Sequence, residues 1–334
     1  MAIVLVIGAG ASRALVHTPL GTNLVWTYWQ DSHPFADTPR YSKFLQLAEK
    51  LFPEFRGEAN KFLSMQKECM IYFAPEERLR KCHYVDDMLR SLKGNSEEEG
   101  EKLLQQLILK HIVSVSNEHH RGYDQFKKHF LGMPNISVVA LNFDTYLNEG
   151  PPGPKLDYRV HFDWIDPNRC NYSSGKGLPL LKLNGSLDWA VCSQGHLTLL
   201  NYSITERTFP GGRCHVQLCN NTIAPLLVTP HLEHDSVFAG LWKEAEEVLA
   251  RAEKVVIIGY SFPHYDTRVI ELFQRSLKGS IVVEVIDMKM CDELEEDARC
   301  RIQAKYQGLF PNLSTNQLTI HSEGLEKSLQ RVCP

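Results

Sequence analysis

The first twelve residues constrain this chain most. Met1-Ala-Ile-Val-Leu-Val-Ile7 is an apolar run without polar alternation, and Gly8-Ala-Gly-Ala-Ser12 follows at once. A run rich in Ile and Val suits a strand covered on both faces, as in a parallel sheet. Glycines directly after such a strand let the backbone turn tightly and approach a ligand with no Cβ in the way. The amides of Gly8, Ala9, Gly10, Ala11 and Ser12 are therefore expected to face a phosphate; the competing reading is a tight structural turn. The dinucleotide fingerprint is incomplete, because Arg13 stands where a third glycine belongs. Asp31 lies at the distance of a ribose ligand, but Trp26-Thr-Tyr-Trp-Gln-Asp-Ser-His-Pro34 does not read as a strand. A plain dehydrogenase is disfavoured.

Composition narrows the partners. The 334 residues are 43% hydrophobic and 23% charged, with a formal net charge of −4, as in an ordinary globular protein. That charge gives no electrostatic case for direct binding to nucleic acid or an anionic membrane. No apolar stretch is long enough to span a bilayer, and the N-terminal run lacks the basic flank of a signal peptide. Nine cysteines without export signals suggest reduced thiols and a cytoplasmic protein.

Strand and helix signals then alternate. Residues 1–39 open a nucleotide-binding domain, and 40–131 read as a helical insertion in which Tyr41, Phe44, Leu45, Ala48, Leu51, Phe52 and Phe55 share one face. Residues 132–186 resume the domain, 187–222 form a small cysteine-containing module, and 223–334 complete the sheet. Strands are expected at Ile136–Leu141, Leu178–Leu183, Val255–Ile258 and Ile281–Ile286, with helices over Trp242–Ala252 and Arg268–Leu277. The pattern predicts an α/β fold: a Rossmann-like parallel sheet with helices on both faces. Each strand ends in small or polar residues, and ligands of such sheets gather beyond those ends.

Gly8-Ala-Gly-Ala-Ser12, Leu141-Asn-Phe-Asp144, Lys182-Leu-Asn-Gly-Ser186 and Gly259-Tyr-Ser-Phe-Pro-His-Tyr-Asp266 follow one another in the order of the sirtuin family. Together with Pro225–Pro230 and Leu241–Ala245, the chain most resembles the bacterial antiviral-defence branch. That resemblance implies NAD as substrate or ligand and cleavage of the nicotinamide–ribose bond. It also implies a homo-oligomer, and admits a defence partner such as an ATPase. By the same resemblance Asn142 holds the ribose or positions water, and Asp144 orients the nicotinamide side or supports that loop. Gly259, Ser261 and Asp287 lie on the nucleotide side, where Asp287 equally suits a helix cap. An Asx turn is the bland alternative for Asn142.

Position 184 departs from the family, which carries a histidine there as general base. Asn184 hydrogen-bonds but does not titrate near neutrality. Deacylation suffers most from that change, and hydrolysis less. His17, His161, His231, His234 and His264 are substitutes in principle, each more simply surface or core. A catalytically weak NAD- or ADP-ribose-binding sensor or scaffold is the rival reading, with protein deacylase third. Cys192, His196, Cys214 and Cys219 form a loosely spaced candidate zinc set, and the missing second cysteine of the first pair argues for a decayed, metal-free site.

Overall fold

A computed structural model describes residues 1–16, 126–147, 154–169, 171–200, 212–227, 236–263, 266–287, 294–323, 325, 327 and 328. Apart from residues 126–131, the expected helical insertion lies outside the described residues, as do Asp31, His17, His231, His234 and His264.

The apolar N-terminal run forms β1 (Ile3–Ile7), every residue of it buried. It is followed by α1 (Ala9–Val16), a π-helical turn at Lys127–Leu131 and β2 (Ile136–Ala140). Three strands of the main sheet continue with β3 (Leu156–Asp157), β5 (Leu178–Lys182) and β9 (Lys254–Ile258). Between β3 and β9 lie β4 (Trp164–Ile165), β6 (Gly185–Cys192), β7 (Leu197–Leu199), β8 (Ile223–Leu227) and α2 (Ser236–Ala250). The chain goes on through α3 (Thr267–Ser276), β10 (Val282–Ile286), α4 (Glu295–Leu309) and β11 (Leu318–His321). The expected strands are present with ends moved by a residue or so. The helix expected from Trp242 begins earlier, at Ser236.

The main sheet has seven strands in the order β11-β10-β9-β1-β2-β5-β3, and every pairing is parallel. Without the short edge strand β3, this is the doubly wound order six-five-four-one-two-three. From β1 the chain builds outward through β2 and β5, then returns to build outward the other way through β9, β10 and β11. The direction of winding therefore reverses between β1 and β9, and in doubly wound sheets the crevice that takes a ligand lies outside the carboxyl ends at such a reversal. Helices close the sheet with apolar faces: Val269, Leu272 and Phe273 of α3, and Ala298, Ile302 and Tyr306 of α4, are buried. Glu295, Glu296 and Asp297 in the first turn of α4 match its dipole.

A second sheet, in the order β4-β7-β6-β8, takes its long strand directly from the main one. Gly185, at φ +83, turns the chain from β5 into β6, a conformation that side chains with a Cβ rarely adopt. Inside this sheet Arg169 Nη2 meets Asp188 Oδ2 at 2.6 Å, with both side chains almost fully buried. The same guanidinium donates to Tyr158 Oη at 2.8 Å and to Leu200 O at 2.9 Å. Burial holds the Tyr158 hydroxyl well above its usual range, so it stays a neutral member of this set.

Candidate functional site

The ends of β1, β2 and β5 meet beside the crevice. Ser12 Oγ, one turn into α1, donates to Asp144 Oδ2 at 2.6 Å. Asn142 Nδ2 donates to the same Ser12 Oγ at 2.8 Å and to Gly8 O at 3.0 Å. Asp144 Oδ1 accepts from the Tyr146 amide at 3.4 Å. Asn184 Nδ2 donates to Leu141 O at 2.9 Å, and its Oδ1 is buried without a partner among the described residues. Ser12, Asn142, Asp144 and Asn184 are all buried. The sequence places them up to 172 positions apart (184 less 12); the parallel register brings them together.

The glycine turn departs from expectation. Gly8 N donates to Ile258 O at 2.9 Å, Gly10 N to Gly259 O at 2.8 Å, and Ala11 N to Gly8 O at 3.0 Å. These three amides donate to carbonyls of the protein itself. The absence of side chains serves a close approach of the chain to itself. A Cβ on Gly8 would lie 2.6 Å from Gly259 O and from Tyr260 Cα, and one on Gly10 would lie 2.8 Å from Gly259 O. Gly259 in turn holds φ +59, and a Cβ there would meet Ala11 N at 2.2 Å. The exposed residue of the turn is Ala9, so Ala9 rather than the glycines presents the start of α1 outward.

Behind Gly259 stands a brace that sequence reasoning missed. The Tyr260 hydroxyl donates to Asp266 Oδ2, and the Tyr306 hydroxyl donates to Tyr260 O at 2.9 Å. Phe262, at φ +45, is fixed by edge-on contacts with Phe273, Tyr306 and Phe310. Asp266 directly precedes α3, yet its side chain turns to Tyr260 instead of capping the helix. Burial lifts its carboxyl from 3.8 to about 6, against the pull of the Tyr260 hydroxyl. Ser261 is exposed and Asp287 half-buried, both at carboxyl ends on the β9–β10 side of the crevice. The Asp287 amide donates to His321 O at 3.2 Å, and its charge adds to burial in raising the Tyr306 hydroxyl. His161 is exposed.

Lys182 is the other residue missed. Its side chain is fully buried, and Nζ donates to the main-chain oxygen of Asp144. The signal was present, since a lysine inside the apolar run Leu178–Leu183 has no place in a strand covered on both faces unless something receives it.

The geometry of the cysteine module bears on the zinc expectation. Ligand atoms of Cys192, His196, Cys214 and Cys219 all lie within 4.8 Å of one another. Tetrahedral zinc with Zn–S near 2.3 Å and Zn–N near 2.05 Å requires S···S edges of about 3.8 Å and S···N edges of about 3.6 Å. Cys192 Sγ and Cys219 Sγ are 3.9 Å apart, and Cys214 Sγ lies 3.6 Å from His196 Nδ1. The donor set fits zinc, with His196, brought round by the turn at Gly195, standing where the second cysteine of a pair would. The Cys219 thiol is lowered to about 7, chiefly by the backbone amide of Asn221, while burial pushes Cys214 up to about 11.

No protein-family model matches the chain, and no curated protein does. Among solved structures it is similar to a Sir2 homologue–NAD complex, at 11% identity over 80% of this chain and 86% of that one, with a TM-score of 0.40. It is also similar to Sir2Tm bound to a propionylated peptide, at 12% identity over 99% and 91%, with a TM-score of 0.38. A Sir2–p53 peptide–NAD complex gives 12% identity over 99% and 91%, with a TM-score of 0.37. Overlays this loose transfer neither a residue role nor an activity.

Proposed function

We propose that this chain is a sirtuin-like NAD hydrolase that binds NAD at the β1–β9 crevice and releases nicotinamide, within an oligomer that depletes NAD in antiviral defence. The observation that carries the reading is the hydrogen-bonded set of Ser12, Asn142 and Asp144 at the β1–β2 ends, beside the winding reversal of a doubly wound sheet. The reaction converts NAD and water to nicotinamide, ADP-ribose and a proton. As nicotinamide leaves, positive charge develops on the ribose, and the site must hold sugar and water while that happens. Both amide protons of Asn142 are engaged, on Gly8 O and Ser12 Oγ, which leaves Oδ1 as an acceptor for a ribose hydroxyl or the attacking water. Ser12 and the Tyr146 amide hold the Asp144 carboxyl in one orientation, so it meets the substrate without reorganising. Zinc held by Cys192, His196, Cys214 and Cys219 would have four protein ligands, the arrangement of a structural rather than catalytic metal.

One observation favours a second reading, an NAD- or ADP-ribose-binding sensor. Asn184 stands where the resembled family has its base, and an amide tied to Leu141 O cannot accept a proton. Nicotinamide release by the assembled protein, with Asn142→Ala and Asn184→His beside it, separates the two. The hydrolase reading expects Asn142→Ala to lower turnover by roughly a hundredfold, the effect of losing one positioned polar group, and Asn184→His to raise it. Activity that survives Asn142→Ala would refute the site. Absence of release from wild type, with ADP-ribose still bound, would favour the sensor.

A further inference from the structure

Beyond Ala140, which pairs with Lys182, the strands β2 and β5 part company. One chain enters the loop that carries Asn142 and Asp144; the other turns at Asn184–Gly185 into β6. Where a ladder stops, each carbonyl needs another donor. Four carbonyls at this divergence receive one from the β5–β6 chain. Ala140 O takes Leu183 N at 3.1 Å and Phe143 O takes Leu187 N at 2.9 Å, both main-chain bonds. Leu141 O takes Asn184 Nδ2, and Asp144 O takes Lys182 Nζ. The two main-chain bonds follow from the sheet corner itself. The other two depend on side-chain identity, and one of them brings an amino group into a fully buried place, where a polar group is kept only if its partners repay desolvation.

We propose that Lys182 and Asn184 are positioning residues that grip the Leu141–Asp144 loop by its outer carbonyls and so aim Asn142 and Asp144 at Ser12. The consequence for ligands rests on the nucleotide reading above, whereas the grip is a property of the ligand-free protein. It gives Asn184 a role that needs no proton transfer: its amide holds Leu141 O at any pH. Lys182 has the same task at the other end of the loop, and an apolar side chain of similar length cannot perform it.

The test has two arms. In ligand-free protein, hydrogen exchange of the 141–147 segment is compared among wild type, Lys182→Met and Asn184→Ala. Each variant is expected to speed exchange there by roughly tenfold or more, the scale of one hydrogen bond involving a charged or buried group, while β1 and β9 keep their protection. Unchanged exchange at 141–147, or equal loss across the whole sheet, overturns the proposal. In the second arm, ADP-ribose affinity is measured by calorimetry for Lys182→Met, Asn142→Ala and the double variant. If Lys182 acts through Asn142, the double variant binds about as weakly as the weaker single one; independent, multiplying losses would sink the idea. Should wild type bind no ADP-ribose, the nucleotide reading fails and the exchange arm alone decides the grip. Should Lys182→Met not fold, Asn184→Ala carries both arms.

Discussion

Asp266 offers a measurement in which direction and size both follow from its surroundings. Its carboxyl is 2% exposed and is lifted by burial from 3.8 to about 6. A displacement of that size corresponds to roughly 3 kcal/mol between the protonated and charged forms. The sign is that of an acid whose folded pKa is raised. Between pH 4 and 6 the folded protein keeps a proton that the unfolded chain has lost, so this group's contribution is fully favourable below about pH 4 and is lost as pH rises through 6. Asp266→Asn keeps an acceptor for the Tyr260 hydroxyl and removes the titration. Urea denaturation of both proteins at pH 4, 5, 6 and 7 cancels every group they share. The stability of the variant relative to wild type is expected to climb by up to about 3 kcal/mol between pH 4 and 7, most of it between 4 and 6. A difference constant with pH to within about 0.5 kcal/mol would refute the reasoning, because it would mean that Asp266 is not buried as a charge behind Tyr260.

Other expectations come from single contacts. Protein purified without added zinc should contain close to one equivalent, and Cys214→Ser should remove it; elemental analysis showing no metal in wild type would return the cluster to a set of free thiols. Gly8→Ala places a Cβ 2.6 Å from Gly259 O and Tyr260 Cα, and overpacking of main chain against main chain should lower stability by about 1–3 kcal/mol; an unchanged melting temperature would mean that the two turns do not touch. Asp188→Asn leaves Arg169 buried without its counter-charge and should cost about 3–5 kcal/mol in chemical denaturation. A loss below about 1 kcal/mol, the level of an exposed pair, would mean that water reaches it.

The large sheet was legible because its signal is local. Ile3–Ile7 is apolar without alternation, and that alone requires cover on both faces; the same holds for Val255–Ile258 and Val138–Ala140. The grouping of strand ends was legible too, since parallel strands put every carboxyl end on one edge. What escaped depends on partners far away in sequence. Glycines permitting a ligand's approach and glycines permitting the approach of Gly259 read identically, and only the register of β1 against β9 separates them. The four candidate zinc ligands were named from sequence, but their closeness was not legible, because counting cysteine pairs cannot see that His196 arrives on the far side of a tight turn from Cys192. In the smaller sheet, β4 and β7 are two and three residues long, too short for any period to register. Lys182 was visible as an anomaly, yet its acceptor is a main-chain oxygen, which no residue type announces.

The polar groups at the strand ends are mostly committed to one another. Ser12 both donates and accepts, Asn142 uses both amide protons, and Asp144 accepts at both carboxyl oxygens. Such a set is fixed before a ligand arrives, which favours the stabilisation of developing charge, since the dipoles need not turn during the reaction. It is less suited to moving protons: Ser12, Asn142 and Asn184 neither take one up nor give one up near neutrality, and both carboxyl oxygens of Asp144 are already engaged. A reaction that must activate a ribose hydroxyl as a nucleophile is therefore handicapped at its central step. A reaction in which a good leaving group departs first, and water attacks an already electrophilic sugar, asks mainly for grip and field. Hydrolysis of NAD is of the second kind and deacylation of the first. The proposed order, with the hydrolase and the binder ahead of the deacylase, rests on this distribution of donors and acceptors rather than on the loss of one histidine by itself.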